Sequence, residues 1–234
     1  MKKHRQHGFT LVEIAIVLII VGLMVGGLLA PLSMQLEQRK TAETQKALED
    51  AREALTGYAL RNGYLPCPAI SAGNGLEARD GSHCANGRRS GYLPWATLGL
   101  AKLDSWNHLF RYSVTPAFSD SGALFNLSTP RDITVATRDG SGQLVAATAV
   151  NDIPALILSH GKNGYGGSNE LGGLIANAPN NNDDEQLNAR SDTQFISRYA
   201  SDSATAPGGP YDDIVVWLSP NILFNRMVAV QKIQ

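Results

Sequence analysis

The sequence predicts an α+β fold: one long N-terminal helix, apolar in its first half and amphipathic in its second, packed on an antiparallel β-sheet. Three observations carry this. An uncharged apolar run extends from Ile14 to Leu32. From Met34 to Leu60 apolar and small residues recur at three- and four-residue spacing, the signature of one buried helix face. After Gly63 the pattern changes to short strand-like runs separated by Gly, Asn, Asp and Pro, the order expected when a sheet follows a single helix.

At ~1.5 Å per residue the run Ile14–Leu32 spans ~28 Å, close to the ~30 Å of a bilayer's hydrocarbon core. Residues 9–32 are therefore expected to form a transmembrane half-helix. Lys2, Lys3 and Arg5 precede it, which places the N-terminus on the cytoplasmic side. Glu13 is the one charge between Phe9 and Leu32. An acid inside an apolar span is costly and needs a cationic partner, which makes it a functional candidate.

The stretch Gly8-Phe9-Thr10-Leu11-Val12-Glu13, with its basic leader and apolar continuation, resembles the processing site of type IV prepilins and type II secretion pseudopilins. The resemblance implies a pilin-like fold, a leader over 1–8, cleavage after Gly8 by a prepilin peptidase, N-methylation of Phe9, and filament assembly aided by Glu13. Its implied partners are that peptidase, other pilin or pseudopilin subunits and the inner membrane, with the C-terminal domain in the periplasm. The physical reading is parallel: a new amine on Phe9, cationic with a pKa near ~8, can pair where screening is weak with Glu13 of a neighbour, or at short range with Glu13 of its own chain. A cleaved secretory signal fits less well, since its apolar region is only ~7–15 residues.

Further along, Gly22, Gly26, Gly27 and Pro31 either allow close helix approach or weaken the helix, and weakening is the favoured reading. The amphipathic half, 33–62, is expected to bury Thr41, Thr44, Leu48, Ala51, Leu55 and Tyr58. Arg39 with Glu43 and Lys46 with Asp50 stand at i,i+4 on other faces. Asn62-Gly63 reads as the helix stop, and 63–234 as the globular domain. The only two cysteines, Cys67 and Cys84, are expected to form a disulfide in an oxidising periplasm. The tryptophans Trp95 and Trp106 are read as packing the loop layer on the core. Strands are expected at His108–Val114, Leu124–Leu127, Ile133–Thr137, Leu144–Val150, Pro154–Ser159 and Asp212–Leu218, with a hairpin turn at Asp139-Gly140-Ser141-Gly142. Residues 161–210 read as a long loop with a short helical piece around Ala189–Tyr199. Pro220–Ile233 reads as a helix or tail with Leu223, Met227 and Val230 on one face and Asn221 as its cap.

Composition bounds the function. Hydrophobic residues make up 43% and charged residues 18%, as in a globular domain. Losing Lys2, Lys3 and Arg5 with the leader takes the net charge from −1 to −4, and no basic stripe points to nucleic acid. No enzyme is expected: Ser159 and His160 are adjacent and cannot serve one another as nucleophile and base, and Gly161-Lys162-Asn163-Gly164 lacks phosphate-loop spacing. His160 reads as a satisfied histidine at a strand end. The pseudopilin resemblance further implies a calcium site before the last strand, with Asp212 or Asp213 as ligand and Asn180–Glu185 as neighbouring oxygen donors. Two function classes stand: a structural filament subunit, and a single-pass anchored periplasmic binding domain. The Gly8-Phe9 junction with Glu13 favours the first. Secretion, pilus and competence systems remain open within it.

Overall fold

The computed structural model describes residues 10–233, without the side chains of 25–31. Gly8 and Phe9 lie outside the described residues. The chain divides into two compact units, 1–42 and 43–234.

Helix α1 runs without interruption over Leu11–Asn62, so the glycines and Pro31 do not break it here. In the first unit its apolar side chains face outward: Leu11, Leu18, Leu23 and Met24 are each 66% or more exposed. Among the described residues, no helix is long and apolar enough to cross a membrane.

In the second unit α1 shows why its sequence is periodic. Thr44, Leu48, Ala51, Leu55, Tyr58 and Ala59 are buried, while Thr41, which falls in the first unit, is exposed, against the expectation that it would be buried. Lys46 and Asp50 pair at 3.2 Å on the open side. The helix stops because Gly63 takes φ +83°, which a residue without Cβ adopts freely, and its N–H closes on the Ala59 carbonyl at 2.7 Å.

After α1 come β1 (Arg79–Asp80), β2 (His83–Cys84), β3 (Ser90–Tyr92), α2 (Trp95–Leu98), β4 (Arg111–Val114), α3 (Pro116–Ser119), β5 (Thr134–Arg138), β6 (Leu144–Ala146), β7 (Ala155–Ser159), α4 (Asp183–Arg190), β8 (Gln194–Ile196), β9 (Ile214–Trp217) and α5 (Pro220–Ala229). A four-stranded antiparallel sheet has the order β3-β4-β7-β9; a three-stranded sheet has the order β6-β5-β8, with β5 and β8 parallel.

Period-two alternation explains the layering. Ala155 and Ile157 of β7 join Tyr112, Val114 and Val216 in the core beneath α1, with Leu48, Ala51, Leu55 and Ala59. Leu156 and Leu158 point the other way, into a second cluster with Ile133, Val135, Ile153 and Phe195 of the smaller sheet's side. The result is helix, sheet, second sheet. It also explains why every residue of β7 is buried.

Several expectations are corrected. Leu124–Leu127 is not a strand: Phe125 leaves the extended path to stack on Phe118, centroids 4.7 Å apart. The helix of the 161–210 region is Asp183–Arg190, earlier than expected, because Asn182 caps it by accepting from the Glu185 N–H and three acids favour its positive end. Within the expected helical piece, Gln194–Ile196 instead forms β8 beside β5. α5 is a helix with Pro220 at its first turn and Ser219, not Asn221, at the cap position. Leu223 and Met227 are buried as expected, but Val230 is 49% exposed and Ile233 takes the buried place. The hairpin at Asp139–Gly142 forms, joining β5 to β6.

Candidate functional site

At the N-terminus, Thr10 and Glu13 close on each other. The Thr10 N–H and hydroxyl both donate to Glu13 Oε2, at 2.8 and 2.9 Å, and the Glu13 N–H donates to Thr10 Oγ1 at 3.3 Å. This is a capping box: residue and spacing satisfy two orphan N–H groups at once. Glu13 thus has a local structural role besides the one its apolar setting implies.

The disulfide arm follows α1. Cys67 and Cys84 are bonded, with Cα atoms 5.3 Å apart. Inside the loop Glu77 gathers the Tyr58 hydroxyl at 2.8 Å, the Cys67 N–H at 3.0 Å and the Arg79 guanidinium at 3.1 Å. Arg79 lies over the Tyr64 ring and donates to the carbonyls of Ser82 and Ser119. The loop is tied to the end of α1 by charge-assisted bonds as well as by sulfur.

The third place is the start of β9. Glu185, Asp212 and Asp213 each bring a carboxylate oxygen within 4.8 Å of the others. That separation is the span across one ion with oxygen ligands at ~2.4 Å. Glu185 accepts from Asn163 Nδ2 at 3.0 and 3.1 Å, from Asn182 Nδ2 at 2.6 Å and from the Asp212 N–H at 2.8 Å. Asp212 Oδ2 accepts the Asn163 N–H at 3.0 Å, and Asp213 Oδ2 accepts Asn188 Nδ2 at 2.8 Å. Their other oxygens, Asp212 Oδ1 and Asp213 Oδ1, are buried without a hydrogen-bond partner. Burial, with the charges of Glu185 and Asp213 nearby, pushes the Asp212 carboxyl up to about 7; burial and Asp213 also raise Glu185. Gly161 has no room for a side chain, since a Cβ would lie 2.5 Å from Asp212 Oδ1.

Of the run Asn180–Glu185, only Glu185 joins this cluster. Asn182 caps α4, Asp183 is exposed, and Asp184 takes Arg138 at 2.6 Å and Arg198 at 2.7 Å. Sequence reasoning placed Asp212 and Asp213 but did not single out Glu185; a carboxylate one turn past a capping asparagine was the available signal. His160 is not fully satisfied: its Nδ1 is buried without a partner, 3.7 Å from Asp213 Oδ1. Ser159 turns away and donates to Asp104 Oδ2 at 2.6 Å.

The prokaryotic N-terminal methylation motif matches residues 3–29. No curated protein and no solved structure matches the chain. The motif supports a type IV prepilin- or pseudopilin-like protein, membrane-associated and filament-forming.

Proposed function

We propose that this chain is a structural subunit of a type IV pilus or type II secretion pseudopilus. In this reading a prepilin peptidase cuts after Gly8, Phe9 is methylated, residues 9–32 sit in the inner membrane, and Glu13 pairs with the Phe9 amine of a neighbouring subunit during assembly. One observation carries it: the methylation motif leads directly into a helix whose apolar side chains from Leu11 to Met24 are exposed. Such a surface calls for lipid or other helices around it. The excursion between β7 and β9, and the α5 helix beyond β9, favour a minor or accessory subunit.

Co-expression with a prepilin peptidase tests the reading. The mature protein should lack Met1–Gly8 and carry one methyl group on Phe9, and Gly8→Ala should retain the leader. An intact leader on wild type would overturn it. The alternative, an anchored binding domain, predicts that Glu13→Ala leaves the protein's behaviour in the envelope unchanged.

The orphaned oxygens at β9 favour a second reading within the first: Glu185, Asp212 and Asp213 hold a hard divalent cation, calcium being the natural choice. An all-oxygen, carboxylate-rich set suits calcium, and a buried carboxylate oxygen without a donor is costly until something positive meets it. A bound ion would join α4 to the start of β9. Calorimetric titration of the chelator-treated protein should show saturable calcium binding that Asp213→Ala abolishes; no heat at millimolar calcium would remove this reading.

A further inference from the structure

A cleft of about 680 Å³ opens beside β3; His160, on its wall, separates it from Asp213 of the carboxylate cluster. We propose that it binds an extended acidic peptide segment of a partner protein, added as a strand to the edge of β3. This goes beyond the filament reading and does not depend on it.

The backbone supplies the first part of the argument. β3 pairs on one side with β4, in the register Ser90↔Ser113, Gly91↔Tyr112, Tyr92↔Arg111. On its other side Tyr92 exchanges two backbone hydrogen bonds with Ala69, both 2.9 Å. The arm then leaves the edge: Ile70 leads into the turn that Ser71 and Gly75 close. Backbone groups alternate sides along a strand, so the side of β3 that Tyr92 shows to Ala69 is also the side shown by Ser90. Ala69 does not reach that far, and the cleft begins there. An uncovered edge is a template for another strand.

The walls supply the second part. Ile70 and Leu174 line the cleft and are 52% and 84% exposed, so side chains on alternate positions of an added strand would find apolar surface. The walls are fixed in place. The disulfide holds the arm that carries Arg88, the Tyr92 hydroxyl meets Ser168 Oγ at 3.3 Å, and Gly172 lies so close that a Cβ would come within 2.8 Å of Ala72. A preformed site loses less entropy on binding.

Charge supplies the third. Three arginines line the cleft, and two are committed. Arg89 makes a two-bond pair with Asp132, both 2.7 Å. Arg111 donates to the carbonyls of Asn188, Ala189 and Ser191 and to Asp192. Arg88 is exposed, and among the described residues its guanidinium has no partner. Of the three it is the exposed guanidinium, open to a carboxylate from solvent, whereas Arg89 Nε is a buried donor. Main-chain bonds would give affinity, and the apolar walls with Arg88 would give specificity.

The test uses the full-length protein in detergent micelles and fluorescein-labelled Val-Thr-Val-Asp-Val, read by anisotropy. Saturable binding is expected, weakened at least tenfold by Arg88→Glu. The same peptide with Lys for Asp, and one with alternate amides N-methylated, should bind at least tenfold more weakly to wild type. Equal binding of the lysine or N-methylated peptide, an unaffected Arg88→Glu variant, or no binding at millimolar peptide would each overturn the proposal. So would competition by inorganic phosphate at the peptide's own concentration, which would show a simple anion site.

Discussion

Removing the disulfide by Cys67→Ala with Cys84→Ala should cost the folded domain about 3 kcal/mol. The two cysteines are 17 residues apart, and restricting an unfolded loop of that size costs it about 3 kcal/mol of entropy at room temperature. For a domain of this size each kcal/mol moves the melting temperature by ~2–4 °C, so the shift should be about 6–12 °C. The native arm should not come apart, because Glu77 still gathers Tyr58, Arg79 and the backbone of residue 67. The Tyr112 hydroxyl also still holds the Pro66 carbonyl at 3.1 Å. The loss should therefore appear in calorimetry while far-ultraviolet dichroism at 25 °C stays native. Cys67 is fully buried and Cys84 is 8% exposed, so reductant added to folded protein should act slowly, and quickly once denaturant is present. A shift below ~2 °C in the double variant would refute the loop-entropy reasoning. Loss of native dichroism would refute the view that the Glu77 network holds the arm.

Glu13→Gln keeps an oxygen that can accept from Thr10 but loses the charge, whereas Thr10→Ala loses the cap and keeps the charge; crosslinking should find Glu13→Gln impaired in filament incorporation and Thr10→Ala close to wild type, and the reverse order would make the cap the essential feature. In chelator, the Asp212 carboxyl titrates near 7 folded and ~3.9 unfolded. Between those values the folded chain holds a proton that the unfolded chain has released, so this group's contribution to stability should fall as pH rises from ~4 to ~7. Melting temperatures at pH 5 and pH 8 should show the drop, Asp212→Asn should flatten it, and calcium should restore stability at pH 8; a rise over this window that Asp212→Asn leaves intact would contradict the assignment. Asp184→Asn should destabilise by ~3 kcal/mol, because it leaves Arg138 and Arg198 facing a nearly inaccessible neutral group; urea titration would detect it, and a change under ~1 kcal/mol would show that solvent screens both arginines.

What could be read from the sequence depended on distance along the chain. The buried stripe Thr44–Leu48–Ala51–Leu55–Tyr58 was legible because helix periodicity is local. The turn at Asp139–Gly142 was legible because Asp and Gly have local turn chemistry. β8 was not, because its partner β5 lies far away in sequence and its three residues carry no alternation of their own. α4 was misplaced because its cap, Asn182, sits among other asparagines and aspartates that look alike until one of them meets the Glu185 N–H. Asp184 and Glu185 are adjacent acids with different fates, one held by two arginines and the other by three amide groups. The spacing Asn182-x-x-Glu185 marks one of them as a capping partner, but only the fold brings Arg138 and Arg198 to the other.

β7 and β9 are neighbours, and Ser159 is paired with Ile214. Everything from 160 to 213 leaves the sheet and returns to it at one rung. Topologically this long excursion, with α4 and β8 in it, is an overgrown hairpin turn. No member of the core beneath α1 comes from it. Loop-closure entropy grows slowly, by only ~0.6 kcal/mol per doubling of length, so lineages could lengthen, trim or exchange this turn without rerouting any strand of the four-stranded sheet, though β8 and its pairing with β5 would change with it. The same reasoning makes residues 160–213 the natural grafting point for a foreign module, because a transplant there would inherit a fixed entrance and exit and would leave the helix-side core as it is.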